Sequence, residues 1–333
     1  MQILVVVGYY GFGNVGDDIC LAKTKDILNS LFVSPVVWTL SADKNCYPNA
    51  VNRWNFFSII KTIVKVDMLV FGGGGILQNK TSHFSLWYYL GFIFFAKCFN
   101  KKVFFLSQGI GPIRGFISKF ILSWILTLVT KSTLRSQESS LLFKSSSDLK
   151  ITSDLAFYKA PLYLSDSKLM SNSVGLNLCD VGSKFYYSSL VQETLGLGLT
   201  VSGLSFCSSI DTPLLADSGI LKSDIKEFCV DSYYQPSTIQ YYFIVAMRYH
   251  SCVWSILQGI PFIALAYDDK VLHLANYLNQ PVVSMDAIQS KGIIKDAITT
   301  LTGNFGFYQG NIVQGRKSLL CSSKLNEWVF HDS

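Results

Sequence analysis

Short apolar runs alternate with longer helical patterns through the first half of the chain. Runs typical of buried strands are Ile3–Val7, Val36–Leu40, Met68–Phe71, Val103–Leu106 and Ser132–Arg135. Apolar residues at helical spacing predict helices near Asp18–Leu31, Phe57–Val64, Leu86–Phe99 and Ile117–Thr130. Because the strands are apolar and alternate with helices, the pattern predicts a parallel sheet covered on both faces.

A second alternating series follows a break in this pattern. Residues 158–173 contain Pro161 and polar residues without a clear period, so we interpret them as a linker. Strands are predicted beyond it at Val174–Cys179, Leu199–Leu204, Phe228–Asp231, Phe243–Ala246, Phe262–Ala266 and Val282–Ser284. Helices are predicted near Cys252–Gln258, Lys270–Leu278 and Gly292–Thr300.

The two series predict an α/β fold with two Rossmann-like domains that face each other across a cleft. The chain has 333 residues, a length that suits two domains of ordinary size. We assign residues 1–160 to the first domain and residues 161–333 to the second.

Composition and charge narrow the class of partner. Half of the residues are hydrophobic and 15% are charged, so a disordered chain is excluded. The net charge is +6, but the basic residues form no long run, which argues against a nucleic-acid partner. A modest positive charge suits a small anionic substrate or an anionic membrane surface. Eight scattered cysteines without a CxxC pair indicate reduced thiols in a cytosolic protein. With only four histidines, we expect no metal site.

Two stretches, Phe84–Phe99 and Phe116–Val129, are unusually apolar. Each is shorter than the roughly 20 residues of a membrane-spanning helix, and Lys97 and Lys119 interrupt them. One interpretation is buried core helices, and the other is a helix surface that touches a bilayer. The N-terminal apolar run is too short for a signal peptide, so we expect a cytoplasmic protein, with the inner face of the membrane as a site of contact.

Three glycine-rich loops follow strands of the first domain, at the sheet edge where ligands bind in such folds. Their notable residues are Gly11, Gly13, Asn14 and Asp17 in the first, Gly73, Gly74 and Gly75 in the second, and Gln108, Gly109 and Gly111 in the third. Glycines let the backbone approach a ligand, so we expect one cleft wall of exposed N–H groups; a tight strand-to-helix turn is the alternative for the glycine run. A dinucleotide site is not expected, because no acidic residue ends the second strand.

Four side chains are candidates for chemistry. Arg248 and His250 stand two residues apart at a strand-to-helix turn, where His exchanges protons near neutral pH and Arg clamps phosphate or carboxylate. Arg135 ends the fifth strand, with a salt bridge or a capping contact as the alternative role. Lys270 lies at a helix start, where a cation opposes the helix dipole and therefore suggests a purpose, unless its side chain simply reaches solvent.

These residues belong to motifs that run in order over nearly the whole chain. The motifs are Gly11-Phe-Gly-Asn-Val-Gly-Asp17, the glycine run 72–75, Gln108-Gly-Ile-Gly-Pro112, Arg135 with Ser139, Asp154-Leu-Ala-Phe157, Arg248-Tyr-His250-Ser251, and Gly259-Ile-Pro261 through Tyr267-Asp268 to Lys270. In their order and spacing they resemble the polysaccharide pyruvyl transferase family.

The resemblance implies a fold similar to that of glycosyltransferase-B enzymes, with an interdomain site. It implies phosphoenolpyruvate as donor and co-substrate, with no other cofactor, and an acceptor saccharide of the cell envelope or of an exopolysaccharide, often lipid-linked. By motif match, Arg135, Arg248, His250 and Lys270 are the functional positions. We expect Arg135, Arg248 and Lys270 to bind the two acid groups of the donor and His250 to act as acid/base.

Two other functions stay open. A nucleotide-sugar-dependent glycosyltransferase has the same architecture, but such enzymes usually hold the ribose with carboxylates that 252–266 lack. A non-catalytic binding relative is the second alternative, and the presence of the Arg, His and Lys candidates argues against it.

Overall fold

A computed structural model describes residues 2–80, 82–143, 148–162, 171–181, 184–290 and 292–331. The chain divides into two compact units, the first formed by Met1–Lys159 with Leu319–Ser333 and the second by Ala160–Ser318. Each unit has one parallel sheet, which confirms the predicted class of two Rossmann-like α/β domains. Residues 163–170 of the predicted linker lie outside the described residues.

The first unit contains, among its described residues, a seven-stranded sheet in the order β3-β2-β1-β4-β5-β6-β7. Its strands are β1 Ile3–Tyr10, β2 Val36–Ser41, β3 Ala50–Asn52, β4 Met68–Gly72, β5 Lys102–Gln108, β6 Lys131–Leu134 and β7 Leu149–Ile151. Its helices are α1 Val15–Leu31, α2 Phe56–Lys65, α3 His83–Cys98, α4 Phe116–Leu126 and the short α5 Gln137–Ser140, with a 3-10 helix at Leu155–Phe157.

Alternate residues of these strands build two separate cores. Val5, Leu69 and Phe105 face the side that α2, α3 and α4 cover, whereas Val70 and Phe104 face α1. The predicted coverage of both sheet faces is therefore confirmed for this unit.

The second unit has a six-stranded sheet in the part of the chain that the structure describes, in the order β10-β9-β8-β11-β12-β13. Its strands are β8 Ser173–Asn177, β9 Thr200–Ser205, β10 Ile225–Glu227, β11 Phe243–Ala246, β12 Phe262–Ala266 and β13 Val282–Ser284. Its helices are α6 Lys184–Leu195, α7 Ser208–Asp217, α8 Val230–Tyr233, α9 Tyr249–Gln258, α10 Asp269–Tyr277, α11 Ile293–Gly303 and α12 Phe305–Ser323, with 3-10 helices at Lys222–Asp224 and Ala287–Gln289. The last turn of α12, from residue 319 onward, belongs to the first unit.

The predicted division at residue 160 needs one correction at the C-terminus. Residues 319–333 were assigned to the second domain, but they belong to the first unit. There a 3-10 helix, Lys324–Phe330, buries Val329 and Phe330 in the α1 core, with the ring of Phe330 5.0 Å from that of Phe104. Burial of these apolar side chains explains the assignment.

The strand predicted at Phe228–Asp231 is wrong. The edge strand β10 ends at Glu227, and residues 230–233 form α8 instead. The ring of Phe228 stacks on that of Phe206 at 4.5 Å, so this side chain belongs to a local aromatic cluster rather than to the sheet ladder. The segment that does form β10, Ile-Lys-Glu, is short and mostly polar and therefore shows no apolar run.

Candidate active site

Arg248 lies at the carboxyl edge of the second sheet, where β11 gives way to α9. Its backbone is extended and forms the N-cap position of α9. Its N–H donates to Oδ1 of Asn177, which is fully buried at the end of the neighbouring β8, at 2.8 Å. The amide group of Asn177 also donates to the carbonyl of Leu204 on β9 at 2.9 Å. One buried side chain thus ties the ends of three adjacent strands together and fixes the backbone of Arg248.

The guanidinium of Arg248 is held by Asp211, a residue that the sequence analysis did not identify. Nε donates to both carboxylate oxygens at 2.8 and 2.9 Å, and Nη2 donates to Oδ1 at 2.6 Å. The Asp211 side chain is fully buried and also accepts from the backbone N–H groups of Phe206 and Cys207. Burial by itself lowers the pKa of Arg248, but the hydrogen bonds and charge of Asp211 outweigh it and raise the pKa above its usual value.

One edge of the Arg248 guanidinium is left for a ligand. Asp211 takes the Nε–Nη2 edge, and no described residue accepts a hydrogen bond from Nη1. The Arg248 side chain is 16% exposed to solvent. The arrangement gives a charged donor whose direction is set before any ligand arrives.

His250 is the second residue of α9 and is partly buried. The hydroxyl of Tyr233 donates to its carbonyl oxygen at 2.9 Å, and its ring lies edge-on to Tyr249 at 5.3 Å. The first turn of a helix has N–H groups without intrahelical partners, which favour an anion. Arg248 and His250 are therefore brought together at one helix start, as the two-residue spacing predicted.

Lys270 lies in the first turn of α10, after β12. Its Nζ is 3.6 Å from Oδ2 of Asp268, the N-cap of that helix, which offsets the unfavourable dipole. Burial raises the pKa of the nearby Cys179 thiol to about 12, while the charges of Arg248 and Lys270 oppose that rise. Arg248 and Lys270 both follow strands at the carboxyl edge of the second sheet, and both lower the pKa of Cys179, two residues beyond β8.

In the first unit, the loop after β1 is shaped by packing. Gly11 and Gly13 have positive φ, and a Cβ on Gly11 would lie 2.3 Å from Oγ of Ser41, so no larger residue fits there. Asn14 caps α1 by accepting from the N–H of Gly16 at 3.1 Å. Asp17, in the first turn of α1, lies beside the glycine run: Oδ1 of Asp17 is 3.3 Å from the place that a Cβ on Gly74 would occupy.

Hydrogen bonds join the loops after β4 and β5. Gly73 and Gly74 have positive φ, and the carbonyl of Gly74 accepts from the N–H of Gly109 at 2.9 Å and from Nε2 of Gln108 at 2.8 Å. The N–H of Gly111 donates to Leu77 at 2.8 Å. Two of the three glycine loops are therefore joined at the carboxyl edge of the first sheet. The N–H groups of Gly109 and Gly111 donate to carbonyls rather than being exposed, so the prediction of exposed N–H groups is wrong at these two positions.

Arg135 fills the space that the glycines leave open. Its Nη1 donates to Oδ2 of the fully buried Asp154 at 3.0 Å, and Asp154 also caps the 3-10 helix that follows. A Cβ on Gly109 would lie 2.6 Å from Nη2 of Arg135, and one on Gly75 would lie 3.3 Å away. The structure thus shows the ion pair that was the alternative role for Arg135, and its role in donor binding stays a prediction.

Arg53 is a buried cation that the sequence analysis also missed. It is 5% exposed, donates to the carbonyl of Gly8 and to the hydroxyl of Tyr89, and forms no ion pair with any described carboxylate. Its Nε has no hydrogen-bond partner among the described residues. The rings of Tyr9, Phe12, Trp54, Tyr88 and Tyr89 surround the guanidinium carbon at 5.1–5.7 Å. Arg53 follows β3, a three-residue strand too short to show in the apolar pattern.

Comparison with known proteins gives one family. A family model of polysaccharide pyruvyl transferases matches residues 14–269. No curated protein sequence matches the chain significantly.

Solved structures with a similar fold include a UDP-GlcNAc 2-epimerase, a sucrose-phosphate synthase and MurG. A UDP-GlcNAc 2-epimerase from Neisseria meningitidis, solved with UDP-GlcNAc, is 11% identical over 100% of both chains, with a TM-score of 0.58. Sucrose-phosphate synthase from Thermosynechococcus elongatus is 11% identical over 99% of this chain and 97% of its own, with a TM-score of 0.59. MurG from Acinetobacter baumannii is 12% identical over 100% of both chains, with a TM-score of 0.57. At these identities the similarity is one of fold, and it confirms the expected likeness to glycosyltransferase-B enzymes.

Proposed function

The chain belongs to the polysaccharide pyruvyl transferase family, and we propose that it transfers the pyruvyl group of phosphoenolpyruvate to a saccharide as a ketal and releases phosphate. The observation that carries the proposal is the cluster at the start of α9. There a charged Arg248, aligned by Asp211, stands two residues from His250.

Arg248 is suited to an anionic donor. Phosphoenolpyruvate has a phosphate and a carboxylate on one small skeleton, so its site needs fixed cations. The Nη1 edge of Arg248 points away from its Asp211 contacts, and Lys270 lies in the first turn of α10, after the neighbouring strand β12. We propose that these two cations bind the acid groups of the donor, and that Arg135 and the glycine loops contribute further donor contacts.

His250 is the proposed acid/base. The methylene carbon of phosphoenolpyruvate accepts a proton, which makes the central carbon electrophilic. A saccharide hydroxyl adds to that carbon, phosphate leaves, and a second hydroxyl closes the cyclic ketal. The two hydroxyl protons end on the new methyl group and on phosphate. An imidazole that moves these protons typically contributes about 10²–10⁴-fold in rate, and no step in the sequence uses a metal or another cofactor.

The acceptor side of the proposal rests on the family. We propose an envelope or exopolysaccharide precursor, presented on a lipid at the cytoplasmic face of the membrane. The aromatic rings around Arg53 support an acceptor site near the end of β1, because Tyr9 and Trp54 are well exposed beside a buried cation.

Phosphate release tests the roles of Arg248 and His250. With phosphoenolpyruvate and a saccharide acceptor, His250→Ala should lose most turnover, whereas the control His273→Ala, an exposed position of α10, should keep it. Arg248→Lys should raise the donor KM, because Lys lacks the two-edged fork. Full turnover by His250→Ala, or an unchanged donor KM for Arg248→Lys, would remove the assigned role.

Ligand binding separates the alternatives. Thermal stabilisation by phosphoenolpyruvate but not by UDP-sugars supports pyruvyl transfer. Stabilisation by a UDP-sugar alone would favour a glycosyltransferase. Stabilisation by phosphoenolpyruvate without turnover on any acceptor would favour a binding protein.

A further inference from the structure

The outer faces of α2, α3 and α4 carry large apolar side chains in solvent. The inner faces of these helices pack on the first sheet through residues such as Ile63, Ile93 and Leu122. The outer faces expose Phe57, Phe84, Trp87, Phe116, Phe120 and Trp124, and the exposed fractions of Phe57, Phe84 and Phe116 are 85%, 87% and 82%. We call these six residues the aromatic face.

The three helices lie side by side, so the aromatic face lies on one side of the first sheet. The ring of Phe56 on α2 lies 5.8 Å from that of Phe95 on α3. The ring of Phe94 on α3 lies 6.3 Å from that of Trp124 on α4. Scattered single apolar residues are normal on a protein surface, but a contiguous group of this kind marks an interaction site.

The solvent-facing stripe of α3 shows the anomaly most clearly. At helical spacing this stripe consists of Phe84, Trp87, Gly91, Phe94 and Cys98, and none of them is charged. A helix that covers one face of a sheet normally has a polar outer stripe. On the other face of the same sheet, α1 has polar residues at three of its four exposed positions, Asp26, Asn29 and Ser30, and the fourth is Leu31 at its C-terminal end.

Basic residues predominate around the aromatic face. No Asp or Glu occurs between Asp67 and Glu138. Lysines and arginines that are exposed or partly exposed occur on or beside the three helices, at Lys61, Lys65, Lys97, Lys101, Lys102, Arg114 and Lys119. Long basic side chains bury their stems along apolar surface and keep the charge in water, which suits the headgroup region of an anionic bilayer.

We propose that the aromatic face is a peripheral docking surface for an anionic lipid bilayer. Among the described residues, no helix has the length and apolar character to cross a membrane. The helices would instead lie on the bilayer, with aromatic side chains in the acyl boundary and lysines at the headgroups.

The aromatic face lies near the sheet edge that carries the glycine loops. Phe57, Phe84 and Phe116 occupy the first two positions of α2, α3 and α4. In βαβ units a helix starts near the carboxyl end of the preceding strand, which is the edge that holds the glycine loops. A lipid-linked acceptor anchored in the docked bilayer would meet the protein at that edge. This last step rests on the proposed function, whereas the bilayer contact does not.

Sedimentation with vesicles tests the surface without any substrate. The wild-type chain should sediment with vesicles of phosphatidylcholine and phosphatidylglycerol and much less with phosphatidylcholine alone. The variant Phe84→Glu/Phe116→Glu/Phe120→Glu should bind at least tenfold more weakly, whereas Phe307→Glu, at an exposed aromatic of the second unit, should bind as wild type. The variant Lys101→Gln/Lys102→Gln should bind the anionic vesicles about tenfold or more weakly than wild type, with no change on phosphatidylcholine alone.

Three results would overturn the proposal. One is wild-type protein that stays in the supernatant with anionic vesicles. Another is a triple variant that folds, by circular dichroism, and binds like wild type. The third is a lipid-free dimer at micromolar concentration that the triple variant abolishes, since a second copy would then cover the face. Turnover on a soluble acceptor should be the same for wild type and the triple variant, so failure of docking and failure of pyruvyl transfer are told apart.

Discussion

The substitution Asp211→Asn should be costly although the side chain changes by one atom. Asn keeps an oxygen that accepts hydrogen bonds but removes the charge opposite Arg248, whose side chain is 16% exposed and whose partner is fully buried. Loss of one partner from a buried ion pair typically costs about 3–5 kcal/mol. Because Arg248 keeps some contact with solvent, we expect the lower end, about 3 kcal/mol of unfolding free energy.

Calorimetry and kinetics measure the two consequences. In a unit of this size, a loss of about 3 kcal/mol lowers Tm by about 6–12 °C. The donor KM should rise, because the guanidinium is no longer held in one direction. The matched control is Asp217→Asn, at an exposed position of the same helix, which should stay within about 0.5 kcal/mol of wild type.

A double substitution separates charge burial from packing. Asp211→Leu/Arg248→Met replaces the pair by apolar groups and should recover much of the lost stability without recovering activity. An Asp211→Asn variant with the same Tm as the Asp217→Asn control and the wild-type donor KM would contradict this prediction. The ion pair would then neither stabilise the unit nor position the arginine.

Glycine geometry, Lys270 and metal dependence provide further tests. Gly11→Ala should destabilise the chain more than Gly13→Ala in urea unfolding. Both positions have positive φ, which costs an alanine about 1–2 kcal/mol, but only at Gly11 would the new Cβ also meet a neighbour, Oγ of Ser41 at 2.3 Å. Equal losses of unfolding free energy would contradict the packing argument. Lys270→Met should change the unfolding free energy by only about 0–1 kcal/mol, because the ion pair of Lys270 with Asp268 is partly exposed. The same variant should raise the donor KM, and an unchanged donor KM would place Lys270 outside the donor site. Dialysis against a chelator should leave turnover intact, and activity that is lost and then restored by added zinc or magnesium would show that a metal takes part.

The core strands were predictable because burial on both sheet faces makes them continuously apolar. The buried strands Phe243–Ala246 and Phe262–Ala266 have the predicted limits, and so does the partly exposed edge strand Val282–Ser284. The helix α12 was not predicted, since Gly306, Gly310 and Gly315 interrupt its sequence and its apolar residues follow no single stripe.

The candidate site was predictable only where its parts are close in sequence. Arg248 and His250 share one turn, so their spacing alone brought them together. Asp211 lies 37 residues before Arg248 on a helix that contains Pro213, and it meets the arginine only because β9, β8 and β11 are neighbours in the sheet. Sequence spacing contains no information on strand order, which is why the partner of the central arginine was missed.

Analysis of the reaction products tests the central claim most directly. Phosphoenolpyruvate is incubated with the wild-type chain and a panel of lipid-linked and free saccharides, and phosphate and saccharide mass are measured together. We expect one phosphate released for each saccharide that gains a pyruvyl ketal, and we expect both signals to be lost in His250→Ala. Phosphate release with free pyruvate and no modified saccharide, or glycosyl transfer from a UDP-sugar by the same protein, would contradict it.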